Sequence, residues 1–281
     1  MGAIIKKPIM GGEIEFLLDD IEQSIGENII KKTYKEALRL QKIFNFFDAD
    51  SELSILNRER KIKASKELLE VILIALKYCE ITKGQYDISL GKNILERKKG
   101  AELSKSKCSY KNIEIKKDII QLTHQDALID LGSIAKGYIV DKLAHFLKKQ
   151  NVKSALIDSR GDIAIFGDKE KIFGIQHPRE RNKILLKFKV KNCGIATSGD
   201  YNQFYGGFDK SHLINQKDLI SVTVIAPTLM GADVMASAVF LLNKEEREIL
   251  IRDNPEIKIY AVDKDLIGYD YNGFSEIIMR I

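Results

Sequence analysis

A lysine opens a helix in the stretch "ALIDLGSIAKGYIVDKLAHFL", residues 127–147. The apolar, strand-like run at Ala127, Leu128 and Ile129 ends in Asp130, and a turn of small residues leads through Ser133 to Lys136 and Gly137. A cation at the positive end of a helix is unfavourable unless something negative sits beside it. Asp130 is one candidate for that partner. A bound phosphate is another, because the free N–H groups at a helix start form an anion site.

The stretch "SVTVIAPTLMGADVMASAVFLLN" holds a second pair of groups. Its helix is apolar nearly all round, so it is expected to be buried. Asp233 and Ser237 are four residues apart and share one face. A buried carboxylate is costly unless it is paired or bound to a metal, and a carboxylate with a hydroxyl suits a hard ion such as Mg²⁺. The plainer reading has Asp233 supporting the helix start and Ser237 packing as a small residue. In "CGIATSGDYNQFY", Thr197, Ser198 and Gly199 either line a ligand or form an ordinary loop turn. His212, in "SHLINQ", is a general base by residue type or a structural histidine.

These residues need elements to hold them. A short strand is expected at Ile14–Leu18, then a helix over residues 29–47 with a face at Ile30, Tyr34, Ala37, Leu38, Leu40, Ile43, Phe44 and Phe47. "DADSELSILN" breaks that pattern. Ser65 is placed to cap a helix whose stripe is Leu68, Leu69, Ile72, Leu73 and Leu76. "QYDISLGKN" reads as a loop or short strand around Asp87, and "NIEIKKDIIQLT" as a hairpin. After the helix from Lys136 come strands in "SALIDSRGDIAIFG", "KIFGIQHP", "ILLKFKVKNCGIATSG" and "LISVTVIAP". "IKIYAVDKD" and "GFSEIIMRI" are expected to close the chain as a hairpin. Helices and hairpins without regular βαβ alternation give an α+β class, with mostly antiparallel sheets packed with helices. No repeat or low-complexity linker divides the chain, so residues 1–281 read as a single domain.

Composition narrows the partners. The chain has 281 residues with 44% hydrophobic and 30% charged residues, which fits a globular protein with a sizeable core. Its net charge of +5 is spread along the sequence and does not argue for nucleic acid. The three cysteines, Cys79, Cys108 and Cys193, lack metal-ligand spacing, and an odd number fits a reducing compartment. No apolar run has the length of a transmembrane segment and no signal-peptide pattern stands at the start. The expected compartment is the cytoplasm; an exported chain trimmed of its leader would read the same.

Taken together, the segments resemble the ApbE family, the FAD:protein FMN transferases, from about Met10 to Leu242. "PIMGG" is similar to the family's entry motif. "FFDADSELSILN", "GQYDISLG", "IDLGSIAKGYIVDKL", "FGIQHP", "GIATSGDY", "SHLIN" and "SVTVIAPTLMGADVMASAVFLL" follow in the family's order. The resemblance implies that Ser133, through backbone oxygen, Asp233 and Ser237 hold Mg²⁺. It implies that Lys136 and Asp130 contact FAD, and that Met10, Gln85, Tyr86, Asp87 and Ile214 line its site. The implied reaction transfers FMN to a Thr or Ser hydroxyl of an acceptor flavoprotein subunit and releases AMP, with His212 taking the hydroxyl proton.

The chain departs from the family at several points. Asn215 replaces an Asp, and the Pro-x-Thr-Gly loop after it is absent. Ser237 stands for the usual Thr, Ala236 leaves no second carboxylate beside it, Phe47 stands for a common Tyr, and Arg160 in "DSRGD" stands for a glycine. Three activities compete on these grounds: FMN transfer, hydrolysis of FAD to FMN and AMP, and flavin binding without catalysis.

Overall fold

The computed structural model describes residues 2–98, 108–180, 182–199 and 218–279. The chain begins with strands β1 (Ala3–Ile9) and β2 (Gly12–Leu18) and helices α1 (Gln23–Phe44) and α2 (Glu52–Glu59). Next come β3 (Lys61–Lys63), α3 (Lys66–Ile81), α4 (Gly91–Lys98), β4 (Ile113–Lys116), β5 (Ile119–Leu122) and α5 (Ala135–Lys149). Strands β6 (Ala155–Ser159), β7 (Asp162–Phe166), β8 (Lys171–Gln176), β9 (Ile184–Val190), β10 (Cys193–Gly199) and β11 (Leu219–Ala226) follow. The last elements are α6 (Leu229–Leu241), α7 (Lys244–Arg252), β12 (Lys258–Asp263) and β13 (Gly268–Tyr271). The class is α+β, as expected. Contacts divide the chain into two compact units, Met1–Ala37 with Lys136–Ile281, and Leu38–Ala135.

The larger unit is built on an eight-stranded sheet in the order β1-β2-β6-β7-β10-β11-β12-β13, antiparallel throughout. Every residue of β11 is buried, Ser221 and Thr223 included, as its mostly apolar, β-branched run suits in a strand covered on both faces. Helix α6 packs against β10 and β11. The β8–β9 hairpin supplies Ile175, Phe188 and Val190 to a second core with Ile195, Ile225 and Phe274. Contact between α6 and the sheet depends on Gly194. A Cβ there would lie 2.3 Å from the Leu229 Cα, so any side chain would force the helix away.

In the smaller unit β3, β5 and β4 form a three-stranded antiparallel sheet, which includes the expected hairpin. Ser65 caps α3 by accepting the Leu68 N–H at 3.2 Å. The buried face of α3 is Leu68, Val71, Ile72, Ala75 and Cys79, while Leu73 is exposed. The stripe therefore lies partly off the expected positions, because leucines occur on both sides of this helix.

Four expected elements differ. The helix expected over residues 29–47 is α1, Gln23–Phe44, and of its expected buried face Leu38 and Phe47 are exposed, Phe47 because the helix ends before it. "DADSELSILN" contains α2, started by the Ser51 side chain accepting the Ser54 N–H; eight residues carry too little periodicity to show it. The closing hairpin pairs β12 with β13, and "GFSEI" is a short 3-10 turn after it. Thr197, Ser198 and Gly199 belong to β10, not to a loop. Among the described residues no helix is long and apolar enough to cross a membrane.

Candidate active site

In the larger unit the chemistry gathers at the starts of α5 and α6. Helix α6 begins at its cap Thr228, which accepts the Gly231 N–H. Both carboxylate oxygens of Asp141, on α5, accept its next free donors, the N–H groups of Leu229 and Met230, at 2.9 and 2.8 Å. A negative group at that end also suits the helix dipole. The two helices meet at Gly137, where a Cβ would lie 2.6 Å from the Met230 Cα.

This close approach brings Asp233 to the first turn of α5, where its Oδ2 accepts the Gly137 N–H at 3.4 Å. Asp233 and Ser237 are both buried, as the all-round apolar helix implied. Burial raises the Asp233 pKa to about 7, against the pull of the Lys136 charge. The Ser237 hydroxyl meets that of Ser198 on β10 at 3.2 Å. Thr197 instead meets Thr223 at 3.0 Å. Of the hydroxyl-rich stretch, Ser198 is therefore the residue turned to Ser237.

Lys136 forms its ion pair with Asp162, at the start of β7. Burial works against the ammonium, but the charges of Asp233 and Asp162 outweigh it and raise the Lys136 pKa. The question posed by a lysine at a helix start thus has its answer inside this unit: two carboxylates face it. Asp162 was not singled out from sequence. The signal available was an acidic residue directly after the "RG" turn between two strands. Met10 lies in the β1–β2 turn with a left-handed φ of 48°.

In the smaller unit, the loop after α3 meets the turn before α5. The Tyr86 hydroxyl bonds the Ser133 hydroxyl at 2.9 Å. The Asp130 N–H donates to the Ile88 carbonyl, and Leu128 and Leu90 form a parallel bridge. Asp87 is occupied structurally: it accepts from the Ser89 N–H and hydroxyl and from the Tyr110 N–H, at 2.8, 2.7 and 3.0 Å. Burial, opposed by these bonds, raises its pKa. Gln85 is half-buried beside it, its N–H donating to the Thr82 carbonyl. His212 and Ile214 lie outside the described residues.

Asn57 is a residue whose role sequence reasoning did not find. Its side chain donates to the Ile129 carbonyl at 2.8 Å and accepts the Ile129 N–H at 2.7 Å. It pins the strand-like run that leads into Asp130 and Ser133. The last residue of "SELSILN" thus positions the turn from 72 residues away.

Among the described residues no group of three or more His, Cys, Asp or Glu side chains is arranged to hold a metal. The donor chemistry still fits a hard dication. A buried carboxylate with one long backbone bond, next to a hydroxyl, leaves oxygen lone pairs free, and Mg²⁺ takes one or two carboxylates and keeps several waters.

The chain matches the sequence model of the ApbE family over residues 10–261. An FAD:protein FMN transferase of Buchnera aphidicola is 28% identical, over 81% of this chain and 76% of that protein. One of Treponema pallidum is 26% identical, over 77% and 72%. The crystal structure of the ApbE protein of Thermotoga maritima superposes with a TM-score of 0.86 at 19% identity, covering 100% of both chains. The solved structure of the flavin transferase ApbE of Vibrio cholerae gives 0.85 at 20%, covering 99% of both.

Proposed function

Since the chain belongs to the ApbE family, we propose that it is an FAD:protein FMN transferase acting on a Thr or Ser hydroxyl of an acceptor flavoprotein subunit. The observation that carries the reading is the buried Asp233 carboxylate held at the start of α5, beside the Lys136–Asp162 pair and the Ser237 hydroxyl. A diphosphate is recognised by such a combination of cation, helix start and metal-ligating oxygens.

The acceptor hydroxyl oxygen attacks the phosphorus of the FMN half. The bond from that phosphorus to the bridging oxygen breaks, and AMP departs with the electron pair. His212 takes the hydroxyl proton. Lys136 faces the phosphate oxygens, positioned by Asp162. Asp233 and Ser237 are the residues of this unit that would hold Mg²⁺, which when bound supplies charge neutralisation and Lewis acidity. Met10 in the same unit is assigned to the flavin by the family resemblance, as are Gln85, Tyr86, Asp87 and Asp130 in the other unit.

Incubation with FAD, Mg²⁺ and an acceptor fragment tests the proposal by mass spectrometry. The expected product is an acceptor heavier by one whole FMN residue (FMN less the elements of water), with one AMP released per transfer. AMP release with no added mass on the acceptor would make the protein an FAD pyrophosphatase. FAD binding without AMP would make it a flavin-binding protein.

A further inference from the structure

The turn that joins β6 to β7 consists of Arg160 and Gly161, flanked by the paired residues Ser159 and Asp162. Both turn residues have positive φ, 59° and 92°. Two-residue hairpin turns of this kind favour Asn or Gly at the first position, because a Cβ is crowded there. Arg160 thus stands where Asn or Gly is the usual choice, one of ten non-glycine residues with positive φ among the described residues.

The side chain is exposed and runs close to a neighbouring strand. Its stem lies across Gly12, at the start of the neighbouring strand β2. A Cβ on Gly12 would sit 2.5 Å from Arg160 Cδ, 3.0 Å from Nε and 3.3 Å from Cζ. Glycine at 12 thus leaves room for the arginine stem to pass over it. Among the described residues its guanidinium forms no ion pair and no hydrogen bond, whereas Lys136 is paired with Asp162. The Arg160 charge reaches the Lys136 ammonium and repels it.

Charge at the cluster sharpens the point. Lys136 is committed to its ion pair with Asp162, which lies two residues from Arg160 on the same hairpin. Arg160 is the cation beside the cluster with no described carboxylate of its own, and a guanidinium matches phosphate oxygens in a bidentate fashion.

We infer that Arg160 is a phosphate-binding residue of this site, its guanidinium taking the non-bridging oxygens of the donor's diphosphate. The inference rests on the reading of the site as one for FAD. Three substitutions separate its parts. Arg160→Gly suits the positive φ, so the fold should hold. Arg160→Met keeps an alkyl stem over Gly12 without charge. Arg160→Lys keeps charge without the fork.

Calorimetry with FAD and with ADP, in Mg²⁺ and at low and moderate salt, gives the readout. Loss of a charge-assisted contact should weaken both ligands by about 10- to 100-fold in Arg160→Gly and Arg160→Met, with a shallower salt dependence. Arg160→Lys should keep the salt dependence and recover part of the affinity. Unchanged FAD and ADP affinities in Arg160→Gly and Arg160→Met would overturn the inference while leaving the FAD reading intact. So would unchanged affinities with a raised KM for the acceptor, which would assign Arg160 to the acceptor protein. A wild type that binds ADP but not FAD removes the flavin reading, and the ADP ratios then decide Arg160 alone. A wild type that binds neither overturns both.

Discussion

Lys136, at the start of α5, is ion-paired with Asp162, at the start of β7, in a partly buried setting. Asp162 is the more enclosed partner, its side chain 9% exposed against 27% for the lysine. The pair therefore reads as a device for aiming an ammonium, and surface screening weakens it little.

Asp162→Asn should lower stability by about 1–3 kcal/mol, the worth of a charge-assisted bond to a part-buried partner. FAD affinity should fall, since Lys136 loses the partner that aims it at the diphosphate. Chemical denaturation and FAD titration on the same variant check both. Unaltered stability would show that the pair orders nothing.

Asp233 predicts an unusual pH dependence of the metal-free protein. Its folded pKa is raised to about 7 by burial, against an ordinary value of about 3.9. Between those values the folded chain binds more protons than the unfolded one, so stability falls as pH rises through the window. Melting in EDTA across that range should show the fall. Asp233→Asn should remove this contribution and melt higher than wild type above the window. Added Mg²⁺ should stabilise the wild type there and leave Asp233→Asn unmoved.

Asn57→Ala should cost about 2–4 kcal/mol, because the N–H and carbonyl of the fully buried Ile129 both lose their partner. Asn57→Asp keeps the acceptor, loses the donor and should fall between. A shift of the urea midpoint at constant slope is the expected signature. FAD turnover should fall as well, since Asp130 and Ser133 follow directly on the pinned residue.

His212→Ala should slow FMN transfer by about 10²–10⁴, the usual worth of a positioned general base. FAD affinity should change little, as the histidine is assigned to the acceptor hydroxyl. Equal AMP release by variant and wild type, with and without acceptor, would remove His212 from the mechanism.

The sequence by itself determined the elements whose signal is local. Helix α5 is legible from its apolar stripe, the cap of α3 from Ser65, and β11 and α6 from mostly apolar runs that suit burial on all sides. The order of short motifs, each joined to a turn or helix start, was enough to place the chain in its family and to single out Lys136, Asp233 and Ser237. Tertiary structure decided which groups meet. Lys136 and Asp162 are 26 residues apart, Asn57 and Ile129 72, and Asp233 and Gly137 96. No periodicity reports a contact across such separations, because it arises from strand order and helix crossing. Glycines at 137 and 194 permit those crossings, and their reason is visible only once the Leu229–Met230 backbone lies against both. Arg160 shows the same division. Its type and its place in "DSRGD" are plain in the sequence, but the left-handed turn, the room over Gly12 and the charges around it exist only in the folded chain.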